Sequence, residues 1–160
     1  MLVASLLSGG GAASVAVPAP AQAWVWPVTG PIIRGFDPPD SPYGSGHRGV
    51  DIAVALGTPV LAVAAGKITF AGPVGGRLFL TIDHGGGLDS TYSWLSSLVA
   101  RKGQTVAPGQ VIARSGTGHP GSIVPHLHFG VRLDGTYLDP LDYLPALDVS
   151  SLIRLAPLAA

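Results

Sequence analysis

Two histidines near the carboxyl end of the chain, His126 and His128, are separated by a single residue in "PHLHFGVRL". Apolar and polar residues alternate there as they do in a half-buried β-strand. Alternation places both imidazoles on one exposed face, with Cα atoms about 6–7 Å apart, and Gly130 beside them leaves room for another molecule. The other face is apolar and is expected to point into a core; it consists of Leu127, Phe129, Val131 and Leu133. An isolated pair of this kind more often consists of two surface histidines that have no specific function.

A second candidate group occurs in "GHRGVD", where His47 and Asp51 are four positions apart. On a straight strand their Cα atoms would be roughly 13 Å apart, too far to share one metal ion. Gly46 and Gly49 allow a bent loop instead, which would turn both side chains inward. His47, Asp51 and one histidine of the carboxyl-terminal pair would then supply three ligands. Three protein ligands and a water are typical of a catalytic zinc site, whereas structural sites use four protein ligands.

The composition narrows the chemistry further. The chain has no cysteine, so any metal site must use nitrogen and oxygen ligands. All 9 acidic residues are Asp, and the absence of Glu excludes HExxH zinc proteases and zinc deaminases that need a Glu. The 9 basic and 9 acidic residues cancel and are scattered, which argues against a nucleic-acid partner or a membrane-surface helix.

Short strands are the elements that must position these residues. With 23 Gly and 15 Pro among 160 residues, long helices are not expected, and short β runs alternate with turn signals. "TPVLAVAAGKITFAG" predicts two strands broken near Ala65-Gly66, and "GRLFLTIDHGGG" a strand that ends in a glycine turn from which "STYSWLSSL" returns. "QTVAPGQVIARSG" predicts a hairpin around Pro108-Gly109. We therefore expect an all-β domain with a curved antiparallel sheet and few or no long helices.

Residues 1–23 are expected to be a signal peptide. They are small or apolar, are interrupted by glycine and proline, and end in Ala21-Gln22-Ala23, a triplet suited to signal peptidase. No Lys or Arg precedes the apolar run, so a low-complexity terminus is the alternative. Residues 24–148 form one predicted domain, and residues 149–160 form a tail. We expect no membrane insertion once the signal has been removed.

Together, "GHRGVD" and "PHLHFG" resemble the signature of the lysostaphin-type zinc endopeptidases, secreted enzymes that cut peptide bonds in bacterial peptidoglycan. The resemblance extends from "WPVTGPIIRGF" to "YLDPLDYL". It implies a curved antiparallel sheet with a narrow groove, one zinc ion at the groove floor, peptidoglycan peptides as substrates, and a secreted, cell-wall or periplasmic location. By this likeness His47, Asp51 and His128 hold the zinc, and His126 is an unligated catalytic histidine.

One departure concerns a second catalytic histidine, which such enzymes carry in a Y-x-H-L stretch. Here the stretch is "YSWL", and Trp94 cannot take up a proton, although an indole can form an aromatic wall for substrate. His119 is the candidate to replace the missing histidine; the alternative is a solvated loop residue. Tyr92 lies two positions before Trp94 and is predicted to share its face, unless it packs in the interior. Arg34 and Tyr43 flank the first ligand loop and are candidates for substrate contacts.

Two further residue groups have structural interpretations. His84 ends a predicted strand in "IDHGGG" and is expected to brace the glycine turn through hydrogen bonds. Asp139-Pro140 is expected to form a structural turn.

Three functions remain open at this point. The first is a zinc endopeptidase acting on peptidoglycan. The second is a zinc-holding module of the same fold that binds the cell wall, or activates another cell-wall hydrolase, without cutting; Trp94 is the reason to consider it. The third is a lipoyl-type carrier domain, which needs a lysine at the tip of a tight hairpin. The chain has only Lys67 and Lys102, and neither lies at such a tip.

Overall fold

A computed structural model describes residues 23–39, 41, 44–120 and 122–146. The strands in chain order are β1 (Ile32–Arg34), β2 (Val50–Ala53), β3 (Pro59–Leu61), β4 (Gly66–Val74), β5 (Arg77–Asp83), β6 (Leu88–Leu98), β7 (Thr105–Val106), β8 (Val111–Ser115), β9 (His126–Leu133) and β10 (Thr136–Leu138). One 3-10 turn, Pro140–Asp142, follows them. The described part of the chain contains no α-helix, which confirms the all-β prediction. Most of the predicted signal peptide and the predicted tail lie outside the described residues.

The ten strands form one antiparallel sheet in the order β1-β2-β9-β6-β5-β4-β7, with β10 beside β9 and β8 between β3 and β6. Strands β2 and β9 are far apart in sequence but pair directly, so that Asp51 lies opposite His128. The pairing of β9 with β6 continues this row to Ser93, and the pairing of β1 with β2 extends it to Arg34 on the other side. One row of paired residues therefore crosses four strands and contains two of the three predicted ligands.

The core lies behind this row, on the other face of the sheet. Leu127, Phe129 and Val131 are fully buried, which confirms the predicted apolar face of β9 for these three residues. Leu133 is 39% exposed, because it ends the strand at the turn into β10. Trp24 is buried too, and its ring lies 6.4 Å from that of Phe129.

The predicted hairpin around Pro108-Gly109 is wrong in its pairing, although the turn itself forms. Strand β7 pairs with β4, and β8 pairs with β3 and β6. The backbone of the turn bonds elsewhere as well, since Gly109 donates its N–H to the carbonyl of Ala62 at 2.8 Å. The turn therefore directs the two flanking strands to different neighbours.

A β-bulge in β6 changes the direction of its side chains. Leu78 of β5 pairs with Leu95 of β6, and Leu80 pairs with Tyr92. Two β6 residues, Ser93 and Trp94, therefore lie opposite the single β5 residue Phe79. Trp94, within the bulge, has a φ of 62°, a left-handed conformation that costs a side-chain-bearing residue roughly 1–2 kcal/mol. Bulges re-aim side chains and are frequent beside active sites.

The turn at Asp139-Pro140 is confirmed. The Asp139 carboxylate accepts a hydrogen bond from the backbone N–H of Leu141 at 3.0 Å and caps the 3-10 turn. A bilayer-spanning helix is also missing from the described part of the chain, where no helical segment has the required length and apolar character.

Candidate metal centre

The three predicted ligands converge at the floor of a groove. Nε2 of His47 lies 3.0 Å from Oδ1 of Asp51 and 3.0 Å from Nδ1 of His128. The same Asp51 oxygen is 2.8 Å from Nδ1 of His128. The geometric expectation that a glycine-bent loop and a distant β-strand meet is therefore confirmed.

Glycines bring the first loop to this position. His47 forms an isolated β-bridge with Asp37 immediately before β2. A Cβ atom on Gly46 would lie 2.6 Å from the carbonyl oxygen of Asp37, and one on Gly49 would lie 2.3 Å from that of Phe129. Real Cβ atoms are not found so close to backbone atoms, so both positions require glycine for the loop to pack against β9.

The hydrogen-bonding pattern around His47 suits a cation. Its Nδ1 lies 2.7 Å from the carbonyl oxygen of Gly35, which can only accept, so Nδ1 carries the proton. In the neutral tautomer Nε2 is then an acceptor that faces Oδ1 of Asp51 at 3.0 Å, an arrangement that a cation between the two atoms would stabilise. Nδ1 of His128 can also donate to the same oxygen at 2.8 Å, so the cluster can hold a proton or a metal ion. A backbone carbonyl bonded to the remote ring nitrogen is the usual outer partner of a metal-ligating histidine.

Asp51 is held in its ionised form. Burial by itself raises the pKa of this carboxyl group, but the hydrogen bond and charge of His128, with the charges of His47 and His119, lower the pKa to about 2. A buried carboxylate beside three imidazoles is a suitable oxygen ligand for zinc.

His119, the candidate substitute for the missing histidine, lies within this cluster. Its Nε2 is 3.3 Å from Nδ1 of His128 and 3.3 Å from Oδ1 of Asp51. With His47, these side chains form a group of four whose ligand atoms all lie within 4.8 Å of one another. Burial lowers the pKa of His119, against the raising effect of the Asp51 charge. The solvated-loop alternative does not describe this position.

His126 is buried, contrary to the expectation that both histidines of the pair lie on an exposed face. Only 1% of its surface is accessible, because the chain at Gly118 covers the ring; a Cβ there would lie 2.2 Å from it. Nδ1 of His126 donates to the carbonyl of Val124 at 2.8 Å, and Nε2 accepts the backbone N–H of His119 at 3.1 Å. His126 therefore supports the loop that carries His119. Its Nε2 is also 3.8 Å from Oδ2 of Asp51, and its ring lines a smaller pocket with Asp51 and His119 instead of the groove.

The groove has a volume of about 690 Å³ and differs in chemistry along its length. One end is formed by aromatic and apolar side chains of β4, β5 and β6, namely Phe70, Val74, Phe79 and Trp94. The other end is cationic and contains Arg34 of β1, Arg132 of β9 and Arg48 of the first ligand loop. The floor carries the small hydroxyl residues Thr81, Thr91 and Ser93.

The predicted substrate contacts have different outcomes. Trp94 and Arg34 line the groove. Tyr92 requires a correction: it is fully buried, and its hydroxyl accepts the N–H of Val63 at 3.0 Å. Tyr92 pairs regularly with Phe129 on the core face, and the bulge that follows turns Trp94 to the groove. Tyr43 lies outside the described residues.

Sequence reasoning did not identify Phe79 or Arg132 as groove residues. The ring of Phe79 lies 5.7 Å from that of Trp94, and Arg132 forms a 2.9 Å ion pair with Asp89. A signal existed for Arg132, because it shares the face of His128 on β9. No comparable signal existed for Phe79, since its contact with Trp94 depends on the bulge.

Comparisons with known proteins agree with this geometry. The model of Peptidase family M23 matches residues 45–140. The murein hydrolase activator NlpD of Salmonella dublin is 34% identical over 136 residues, which cover 84% of this chain and 34% of that protein. Two further relatives, a lipoprotein of Escherichia coli and a protein of Mycobacterium bovis, are also longer, and this chain spans 48% and 55% of their respective lengths.

Two solved structures of peptidases are also similar to this chain. A zinc-containing peptidase from Vibrio cholerae is 32% identical with a TM-score of 0.65, and the match covers 78% of this chain and 41% of that one. The antimicrobial peptidase lysostaphin from Staphylococcus simulans is 29% identical with a TM-score of 0.68, covering 88% and 62% of the two chains. The curved antiparallel sheet of this chain is thus similar to that of lysostaphin.

Proposed function

This chain belongs to peptidase family M23, and we propose that it is a zinc-dependent endopeptidase that hydrolyses peptide bonds in bacterial peptidoglycan. One observation carries the proposal: His47, Asp51 and His128 place three ligand atoms within 3.0 Å of one another at the floor of a groove. The donor set of two imidazoles and one carboxylate suits zinc, as in other hydrolytic sites of this metal. The family and the zinc-containing relative support the same metal.

Zinc in such a site activates water and polarises a carbonyl group at neutral pH. The residues of this chain would supply binding and proton transfer. His119 is the imidazole outside the three predicted ligands that lines the groove, and so it is the group we propose for proton transfer. His126 would act on the reaction through the loop of His119, as a positioning residue, because its own Nε2 is occupied by the backbone N–H of His119.

The groove suits an extended peptide. The indole of Trp94 and the ring of Phe79 offer an aromatic wall at one end. At the other end Arg34 lies in the row of Asp51 and His128, and among the described residues it forms no ion pair. We propose that Trp94 contacts apolar parts of the substrate and that Arg34 contacts a substrate carboxylate, as an arginine fork is suited to do.

The proposed location is the bacterial cell envelope, after export. It is supported by the predicted signal segment and by the names of the relatives, which include a lipoprotein of Escherichia coli and the murein hydrolase activator of Salmonella dublin. Peptidoglycan peptides are the proposed partners, with other cell-wall hydrolases as a second class.

A second candidate function is a zinc-holding module that binds the wall or activates another hydrolase without cutting. The specific observation in its favour is Trp94, which lies where the family carries a catalytic histidine and packs its ring 5.0 Å from that of His119. The activator name of the Salmonella relative agrees with this alternative.

Hydrolysis of purified peptidoglycan distinguishes the two functions. We expect zinc-loaded wild-type protein to release new amino termini between pH 6 and 9, and Asp51→Asn to release none. A Trp94→His variant restores the family's histidine and provides the comparison. Release by Trp94→His but not by the wild type would support the non-cutting module, and release by neither protein would overturn the endopeptidase proposal.

A further inference from the structure

We propose that His119 is a fourth protein ligand, so that the metal site of the resting chain is closed by three imidazoles and one carboxylate. The inference rests on the metal site of the proposed function but not on cleavage. It differs from the resemblance to the lysostaphin-type enzymes, which implies three protein ligands.

Interatomic distances carry the first step. Four ligands bonded to zinc at 2.0–2.1 Å form a tetrahedron whose edges are roughly 3.3 Å long. Nε2 of His119 is 3.3 Å from the ligand atoms of both Asp51 and His128. The edges among the other three ligand atoms are 2.8–3.0 Å. Nε2 of His119 therefore lies at tetrahedral edge length from two of the three ligand atoms, and its ligand atom is within 4.8 Å of that of His47.

A proton-transfer role alone predicts a different position. A group that exchanges a proton through an intervening oxygen atom lies a further 2.6–3.2 Å beyond that oxygen. Nε2 of His119 would then be separated from the ligand atoms of Asp51 and His128 by more than one edge of the tetrahedron. Its two distances of 3.3 Å leave no space for an oxygen between them.

The surrounding residues hold His119 in this position. Its backbone N–H donates to Nε2 of His126, whose ring is in turn fixed by the carbonyl of Val124. On the other side the indole of Trp94 lies 5.0 Å from the imidazole, in a left-handed backbone conformation that points it there. In this arrangement Trp94 does not replace a catalytic histidine but forms the apolar support of a ligand.

Exposure indicates which ligand can leave. The side chains of His47, Asp51 and His128 are 2%, 4% and 13% exposed, whereas that of His119 is 30% exposed. His119 also lies on a loop between β8 and β9, while Asp51 and His128 are fixed within paired strands. Closed four-ligand sites are typical of structural zinc, and catalytic sites keep an open position. A peptide carbonyl could take this position on the metal only after His119 has left it, and the released imidazole is then the group proposed above for proton transfer.

The test compares zinc and cobalt binding in wild type, His119→Ala and Ser122→Ala. Ser122 lies on the same loop, hydrogen-bonds to Val124 and is 3.4 Å from Nδ1 of His126, so its variant disturbs the support of His119 without removing the imidazole. We expect His119→Ala to weaken zinc binding at least tenfold in a competition with a chelator, and Ser122→Ala to leave it unchanged. The cobalt spectrum of the wild type should be that of a four-coordinate site and should not respond to acetohydroxamate. The His119→Ala spectrum should respond.

Equal zinc affinity and equal cobalt spectra in wild type and His119→Ala would overturn the inference. X-ray absorption of the zinc-loaded wild type provides a readout that needs no variant: three imidazoles around zinc are expected, and two would overturn it. These results are independent of peptidoglycan hydrolysis. A chain that coordinates zinc through His119 but releases no amino termini would contradict only the proposed function, and a chain that cleaves with two coordinated imidazoles would contradict only this inference.

Discussion

Strand β6 and its neighbours carry two buried polar clusters, one on each face of the sheet, and both contain histidine. On the core face, Nδ1–H of His84 donates to the carbonyl of Ala65 at 2.7 Å, and its Nε2 accepts the Ser90 hydroxyl at 2.8 Å. The Ser90 hydroxyl is 3.2 Å from that of Tyr92, which accepts the N–H of Val63. His84 therefore forms structural hydrogen bonds, as expected, but its ring joins Ala65 and Ser90 and does not bond to the glycine turn.

On the groove face the same residue type is used differently. Ring nitrogens of His47, His119 and His128 lie 3.0, 3.3 and 2.8 Å from the same oxygen of Asp51. In the His84 cluster each acceptor meets a donor, so the cluster is complete by itself. In the groove cluster three imidazoles converge on one carboxylate oxygen, and a shared cation would satisfy all four groups. Complementarity of partners, and not burial or residue type, separates the structural histidine from the candidate metal ligands.

The largest difference between the two clusters is expected when one acceptor is removed from the groove cluster. We expect Asp51→Asn to lower zinc affinity by more than about 100-fold, since loss of an outer partner alone costs roughly 10- to 100-fold. Asp89→Asn is the matched control, because Asp89 is ion-paired with Arg132 and lies outside the cluster. Chelator competition measures both. Equal losses in the two variants would show that overall charge, and not ligation, governs binding.

The corresponding change on the core face should affect stability alone. Tyr92→Phe removes the acceptor of the Val63 N–H, and a buried donor left without a partner costs about 1–3 kcal/mol. Zinc affinity should stay at the wild-type value. The free energy of unfolding in urea measures the loss. Tyr143→Phe is the control, since among the described residues no hydrogen bond to the Tyr143 hydroxyl is found; a loss as large as that of Tyr92→Phe would remove the distinction.

The smallest expected effect is a dependence of stability on pH that comes from His84. Burial lowers its pKa below the ordinary value of 6.5, against raising effects of Ala65, Asp83 and Asp89. The unfolded chain therefore takes up a proton first as the pH falls. The contribution of neutral His84 to stability should be complete above pH 6.5 and should decrease below it.

Urea midpoints of zinc-free wild type and His84→Gln between pH 7.5 and 5.5 test this expectation. The midpoint of the wild type should fall more steeply with decreasing pH than that of the variant. Parallel curves would show that protonation of His84 does not contribute.

Part of this site could be predicted without coordinates because it depends on local rules. Alternation along "HLHFGVRL" gives His128 and Arg132 the same face of β9. Gly46 and Gly49 mark a loop that only glycine can form, as their close backbone contacts show. The pairing of β2 with β9 was not predicted, because no local rule selects partners 77 positions apart, as Asp51 and His128 are. The resemblance to lysostaphin-type enzymes implied only that these two residues and His47 share a zinc ion.

Other features required the folded chain. The bulge at Trp94 places Trp94 and Tyr92 on opposite faces although they are two positions apart, since a bulge adds one residue to one strand and is set by pairing with its neighbour. The strands around Pro108-Gly109 separate because the turn bonds to Ala62, a contact between distant segments. His126 is buried because Gly118, on the loop between β8 and β9, lies against its ring, which is also a contact that local rules do not predict.

The amino-acid sequence determined the candidate ligand types, the bent loop, the histidine-bearing strand and the family, because residue chemistry and short-range periodicity are properties of the linear chain. Only the tertiary structure decided where His119 lies, that Tyr92 packs in the core and that His126 is buried. Those outcomes depend on how β6, β9 and the loop between β8 and β9 pack together, and packing between distant segments is a property of the fold as a whole.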